Sequence, residues 1–286
     1  MSLQKIRLPW FDIQATMESG QCFRWRLQDN DRYMGWIRGN SVELVQHVDW
    51  VEAITEEGVS QELIRDYFDA DRDYPAILAS WKGIEDLTEI VDRWQGIRIL
   101  RQPLQETIIS FILSQNNNIP RIQGMIERFC KAYGKPTHTL NGQEAYAFPT
   151  DWDSIDVTEE DLRNLAFGYR AKYVAAAIQS FRQEGYDEGD FAILTRPEQE
   201  KRLLALMGIG PKVAACILLF ALGDFTAFPM DVWVLRIMRQ RYLGQSAKPK
   251  EIEAYAKEVF GEERGYLQQL LFHEYRMKEK KNEGSE

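Results

Sequence analysis

The hydrophobic and polar positions of this chain change period once. Residues 20–47, GQCFRWRLQDNDRYMGWIRGNSVELVQH, alternate in short aromatic and β-branched runs broken by polar turns at Asp29–Asp31 and Gly39–Asn40. A period of two predicts antiparallel strands there. From about Glu62, in ELIRDYFDADRDYPAILASWKGIEDLTEIVDRW, apolar residues recur at three- and four-residue spacing, and this pattern persists to the end of the chain. It predicts helices over 103–115, 119–133, 158–165, 170–184, 196–207, 211–222, 231–242, 248–260 and 264–277, with turn signals at Gly134, Gly168, Gly185, Gly223 and Gly244. The expected fold class is therefore α+β. An N-terminal antiparallel sheet domain with short helices covers 1–95, an all-α domain covers 96–286, and the charged tail KEKKNEGSE is expected to fray.

With 286 residues, 44% hydrophobic and 28% charged, the chain has enough apolar material for two cores, which excludes a disordered protein. No run of about eighteen apolar residues occurs, and the start, MSLQKIRLPWFDIQ, lacks the apolar stretch of a signal peptide. The expectation is a cytoplasmic protein with no membrane partner. Cys22, Cys130 and Cys216 are odd in number and far apart, which argues against a disulfide framework and against a zinc or iron–sulfur cluster. Buried, reduced thiols are expected instead.

Charge changes the picture more. The net −9 argues at first against nucleic acid, but residues 201–250 carry +6 whereas 51–100 and 151–200 each carry −7. One basic window can hold a polyanion that the rest repels, although a solvated basic helix accounts for the same count.

That window contains LMGIGPK, residues 206–212, between two helical patterns. The glycines permit a tight helix–turn–helix, and the unpaired N–H groups opening the second helix suit a phosphate. A plain helical hairpin fits the same residues. Lys212 falls in the first turn of that helix, where the positive end of the macrodipole disfavours an ammonium and favours the neutral amine of a nucleophile. Asp231 follows Pro229 and precedes VWVLRIMRQRY, a good N-cap position. Alone, the lysine could simply point at water and the aspartate simply cap.

Together, GIGPKVA preceded by spaced leucines and followed by FPMDVWVLRI resemble the helix–hairpin–helix (HhH-GPD) glycosylase superfamily. SGQCFRWR at 19–26, SQNNNIPRIQGMIERFC at 114–130 and FGYRAKYV at 167–174 extend the resemblance to the 8-oxoguanine DNA glycosylase/AP lyase branch, over nearly the whole chain. The resemblance implies a TBP-like sheet domain, a hairpin at about 196–222, a catalytic aspartate loop at 223–231, and a bifunctional enzyme that flips an oxidised purine out of duplex DNA. Lys212 would form a Schiff base followed by β-elimination, and Asp231 would stabilise the cationic sugar. Gly20, Cys216, Phe220, Pro229, Gln268 and Phe272 would form the base pocket. Asn116, Arg121 and Arg170 would hold the orphaned cytosine, with Tyr169 as wedge, while Gly208, Gly210 and Val213 would meet the backbone.

The resemblance further implies a structural cation at the carbonyls of Leu204, Leu206 and Ile209; no acidic side chains cluster there, so no catalytic metal is expected, and no cofactor. Double-stranded DNA carrying an oxidised purine is the expected partner, and a monomer the expected state. Two positions depart from the animal members: Trp233 stands where they have histidine, and Phe220 where they have methionine. Two rivals remain at this point: a monofunctional alkylbase glycosylase that uses only the aspartate, and a non-catalytic hairpin module that binds DNA.

Overall fold

The computed structural model describes residues 1–28, 31–84 and 87–283, so the turn expected at Asp29–Asp31 lies largely outside the described residues. The chain opens with β1 (Ser2–Arg7), α1 (Ile13–Glu18), β2 (Arg26–Leu27), β3 (Tyr33–Ile37), β4 (Asn40–Gln46) and β5 (Trp50–Thr55), followed by α2 (Gln61–Tyr67). The strands form one antiparallel sheet in the order β1-β5-β4-β3-β2. The Gly39–Asn40 turn joins β3 to β4, with Ile37 opposite Asn40 and Tyr33 opposite Leu44. Alternate residues Tyr33, Ile37, Val42, Leu44, Val51 and Ala53 are buried, and they form one apolar cluster with Ile64, Tyr67 and Phe68. The alternation predicted for a half-buried sheet is therefore present.

The sheet is larger than its sequence signal. β1 escaped because its apolar residues, Leu3 and Ile6, are three apart, and Leu3 stays 58% exposed while Ile6 is fully buried. Its place beside β5 is fixed by backbone pairing, Ile6 opposite Val51, which no period reports. Conversely, residues 20–25 are not strand. Gly20 sits at φ +85°, and the Gln21 side chain takes up neighbouring backbone groups, so the segment runs as a loop.

The helices that follow are α3 (Tyr74–Ser80), α4 (Thr88–Trp94), α5 (Leu104–Ser114) and α6 (Ile119–Tyr133), then α7 (Glu159–Asn164), α8 (Ala171–Glu184), α9 (Glu188–Ala192), α10 (Arg196–Ala205), α11 (Pro211–Phe220), α12 (Val232–Met238), α13 (Pro249–Tyr255) and α14 (Arg264–Glu283). A short antiparallel pair, β6 (Pro136–His138) and β7 (Glu144–Tyr146), interrupts a stretch expected to be helical throughout. The polar turn around Asn141 and Gly142 is its signal, and Gly142 has φ +81°. α12 and α13 continue as π-helical turns over Arg239–Leu243 and Ala256–Phe260. α14 runs through Glu283, so most of the tail expected to fray is helical.

α5 and α11 form the centre of the large core. Ile108, Ile109 and Ile112 of the first, and Ile217, Leu218 and Leu219 of the second, are fully buried. Tyr74, Leu78, Ile90 and Val91 of α3 and α4, with Trp81 just after α3, join this helical core, while the sheet's cluster takes in Phe68 and Leu100. All three cysteines are free and buried. Among the described residues no helix is long and apolar enough to cross a membrane.

Candidate active site and DNA interface

The hairpin is α10, a turn and α11. Gly208 in the turn has φ +86°, and a Cβ there would lie 2.5 Å from the Tyr173 ring, so both backbone and space require glycine. The Gln115 amide donates to the Gly208 carbonyl at 3.0 Å, tying the turn to the end of α5. A Cβ on Gly210 would meet nothing within 4 Å, which leaves the start of α11 open to solvent. Pro211 opens the helix and no side chain caps it. The N–H groups of Lys212 and Val213 therefore have no intrahelical acceptor. The Val213 side chain is buried, so only its backbone can face a ligand.

Lys212 is half-buried. Its ammonium stands 5.7 Å from the centroid of the Phe111 ring and beside the Cys216 thiol. Burial pushes that thiol up; the Lys212 charge opposes this and the Asp231 carboxylate adds to it. Asp231 caps α12, with Oδ1 accepting from the N–H groups of Trp233 at 2.9 Å and Val234 at 2.8 Å. One carboxylate oxygen is thereby fixed to the backbone, which aims the group without a second side chain. Trp233 carries the Arg236 guanidinium 4.6 Å above its ring.

Lys212 and Asp231 face one cavity of about 50 Å³, whose walls include Gly20, Cys216, Phe220, Pro229, Gln268 and Phe272. Every pocket residue singled out from the sequence is thus brought together, from four separated stretches of chain. Phe111 and Gln269 also line the cavity and were missed. Phe111 stacks on Phe220 with ring centroids 5.5 Å apart. Its position in a uniformly apolar helix gives no signal. Gln269 is 2% exposed and donates to the Ser19 carbonyl at 2.8 Å. Two adjacent glutamines in an otherwise apolar run were the available clue.

Gly20 is held by a buried polar network. Ser19 Oγ donates to the Thr16 carbonyl at 2.8 Å, Gln21 Nε2 donates to the Arg98 carbonyl at 2.8 Å, and Gln21 Oε1 accepts from Leu100 N–H at 2.8 Å. The network joins the loop to residues 98–100 and, through Gln269, to α14. Gln268 is 4% exposed, yet its Oε1 has no hydrogen-bond partner. A buried acceptor left open in a polar-lined cavity marks a place for a donor.

A second cluster lies at the junction of α5, α6 and α8. Asn116 has φ +47°. Arg170 is 3% exposed; its Nε donates to the Gln115 carbonyl at 2.9 Å and its Nη2 to the Asn116 carbonyl at 2.8 Å. Burial and the neighbouring Arg121 charge both push the Arg170 guanidinium down, burial more, while Tyr169 opposes them. Tyr169 is 45% exposed, with its hydroxyl donating to the Gln115 carbonyl at 3.0 Å and its ring 4.4 Å from the Arg170 guanidinium. Arg121 is exposed in the first turn of α6, where Asn118 caps. Asn116, Tyr169 and Arg170 thus share one cluster, joined to the hairpin through Gln115. Of the carbonyls expected at a cation, that of Leu206 accepts from Ile209 N–H at 3.1 Å; those of Leu204 and Ile209 flank the same turn.

Residues 5–108 match the family described as 8-oxoguanine DNA glycosylase, N-terminal domain, and residues 109–262 match HhH-GPD superfamily base excision DNA repair protein. The N-glycosylase/DNA lyase OGG1 of Arabidopsis thaliana is 32% identical over 279 residues, covering 91% of this chain and 76% of that protein. The Clostridium acetobutylicum 8-oxoguanine glycosylase/lyase, in complex with double-stranded DNA containing cytosine opposite 8-oxoG, superposes with a TM-score of 0.88 at 32% identity, over 98% of this chain and 99% of that one. MBOgg1 in complex with a low-affinity DNA ligand gives 0.90 at 33%, over 97% and 96%.

Proposed function

The chain belongs to the HhH-GPD superfamily of base excision DNA repair proteins, in its 8-oxoguanine DNA glycosylase branch, and on that premise we propose how its residues divide the work. It is a bifunctional 8-oxoguanine DNA glycosylase and AP lyase acting on duplex DNA. The observation that carries the assignment of roles is the convergence of Lys212, the capped Asp231 and the open acceptor of Gln268 on a single cavity.

The target base is unreachable inside the stack and must be flipped out. The cavity of about 50 Å³ holds little more than one water in the free protein. It must widen to admit a purine, and Phe272, half-buried, is the wall free to move. The Lys212 amine attacks C1′: the N–C1′ bond forms, the C1′–N9 bond breaks, and the purine leaves with the bonding pair and takes up a proton. Asp231 stabilises the developing positive charge on the sugar and accepts the proton that the attacking nitrogen sheds. Opening of the sugar ring gives the Schiff base. Loss of a C2′ proton then expels the 3′ phosphate.

The Gly20 carbonyl accepts from N7–H, which 8-oxoguanine has and guanine lacks. Gln268 and the Pro229 carbonyl take the opposite edge, and Cys216 and Phe272 sandwich the ring. Phe220 forms the floor. Around the hairpin, Gly208 and Gly210 let a phosphate approach the N–H of Val213, and the carbonyls of Leu204, Leu206 and Ile209 form the cation position. Asn116, Arg121 and Arg170 receive the orphaned cytosine and Tyr169 fills the gap. We further propose that the enzyme works as a cytoplasmic monomer, with a sheet domain over 1–95 and a glycosylase domain over 96–286.

The test is borohydride trapping on a duplex with one 8-oxoguanine opposite cytosine, with an undamaged duplex and Lys212→Gln alongside. An adduct that requires both lesion and lysine is expected. Base release without any adduct would assign the chemistry to water activated by Asp231.

A further inference from the structure

Across Phe272 from the base cavity lies a larger space of about 580 Å³, lined by Arg276, Glu18, Cys22, Asn117 and Ile119 among others, with Phe272 in both walls. Gln268, Phe272 and Arg276 follow each other at i, i+4 spacing on α14 and therefore form one stripe of that helix. The Arg276 guanidinium reaches back along the stripe. A Cβ on Gly20 would lie 3.2 Å from Arg276 Nη1 and 3.4 Å from Phe272 Cε1, so Nη1 packs against the peptide that borders the base cavity. Nη1 is buried and has no hydrogen-bond partner. Burial pushes the guanidinium down while Glu18 opposes, without an ion pair forming between them.

A buried unpaired donor on a charged group is costly and calls for an acceptor. The stripe therefore carries an open acceptor, Gln268 Oε1, and an open donor, Arg276 Nη1, on residues eight positions apart, with the donor beside Gly20. On the reading given above, a purine lies between Gln268 and Gly20, with its N1–H and 2-amino edge at Gln268 and its imidazole edge at Gly20. The only ring atom of that edge which changes from C–H to an acceptor on oxidation is C8, as it gains O8.

We propose that Arg276 is a specificity-determining residue of the base site, donating from Nη1 past the edge of the Phe272 ring to the O8 oxygen of the flipped purine, with Phe272 shifting only enough to lie over the base. This inference rests on the glycosylase reading and adds a second discriminating contact to the Gly20 carbonyl. Guanine offers a C8–H to the same donor and leaves it unpaired, so binding and excision of the undamaged base are both disfavoured.

The experiment is single-turnover kinetics of wild type, Arg276→Met and Arg276→Lys on two duplexes, one with 8-oxoguanine and one with an abasic site, each opposite cytosine. The readout is the ratio of base release to abasic-site nicking, which cancels losses in folding or backbone binding. Arg276→Met should lower that ratio about tenfold or more, the worth of one hydrogen bond to a charged group, and Arg276→Lys should restore part of it. A ratio unchanged in Arg276→Met, whether both activities fall together or neither does, overturns the proposal and assigns Arg276 to packing or to the DNA backbone. If wild type itself fails to release 8-oxoguanine, the glycosylase reading fails instead.

Discussion

The cavity holding Lys212 and Asp231 and the cluster around Arg170 lie on either side of the Gln115–Gly208 hydrogen bond, and the free protein equips them differently. At the cavity, polar groups are left in waiting: Gln268 Oε1 has no partner, Asp231 spends one oxygen on its own helix, and the Lys212 ammonium rests beside a thiol and an aromatic ring. At the cluster, the working groups are already engaged. Arg170 donates to the Gln115 and Asn116 carbonyls and Tyr169 donates to Gln115. On the proposed reading, the Asp231 carboxylate is already aimed by its helix cap although the cavity beside it must widen, whereas the groups proposed to read the opposite strand start from a self-bonded cluster. If the cluster receives the orphaned cytosine as proposed, the base must either displace these bonds or be read by a loop that Arg170 holds in shape.

The largest effect should come from Lys212→Gln. It should abolish the trapped adduct and lower strand nicking by about a thousandfold or more, with the melting temperature within about 2 °C of wild type. Asp231→Asn comes next. The amide oxygen can still cap α12, so base release should fall about a hundredfold or more through loss of charge, again with little change in melting temperature. A large melting shift in either variant would mean that Lys212 or Asp231 supports the core that surrounds the cavity and does not act in the reaction alone.

Arg170→Ala should behave in the opposite way. It strips two carbonyls of a buried charged donor and should cost about 2–3 kcal/mol, lowering the melting temperature by roughly 4–12 °C, while Schiff-base formation on an abasic site falls less than about fivefold. An unchanged melting temperature with lost cytosine preference would break the comparison, since Arg170 would then be a contact residue only.

The smallest effect concerns the thiols. Burial pushes Cys22 and Cys130 up to about 12. Both should therefore stay protonated and unreactive toward iodoacetamide at pH 8, since the thiolate is the nucleophile and only forms as pH approaches those values. Cys216 is raised as well, but Lys212 opposes the shift. Its labelling should exceed that of the other two, and the margin should disappear in Lys212→Gln. Equal labelling in wild type would place the ammonium away from the thiol.

Much of this was legible because the signals are local. β3 and β4 show their period and their Gly39–Asn40 turn within fourteen residues, α6 runs over 119–133 as its apolar spacing and the turn at Gly134 predict, and the GIGPK turn and the Asp231 cap each occupy one short stretch. β1 was hidden because its partner lies some fifty residues away and its own residues alternate poorly. β6 and β7 are three residues each, too short for any period. Phe111 looks like every other apolar residue of α5, and only the approach of α11 turns it into the surface beneath Lys212.

The sequence by itself determined the α+β class, the hairpin turn and the capping position of Asp231, because helix caps, glycine turns and periodicity act over a few residues; the residues of the base pocket came from the resemblance of whole motifs to a family and not from any local period. Tertiary structure alone decided that Gln269 clamps the Ser19–Gly20 peptide, that Arg170 is buried against Gln115 and Asn116, and that Arg276 aims an unpaired donor at Gly20. Each of these joins residues tens to hundreds of positions apart. Whether a polar atom is satisfied depends on what the fold brings within about 3 Å of it, a distance that no local pattern records.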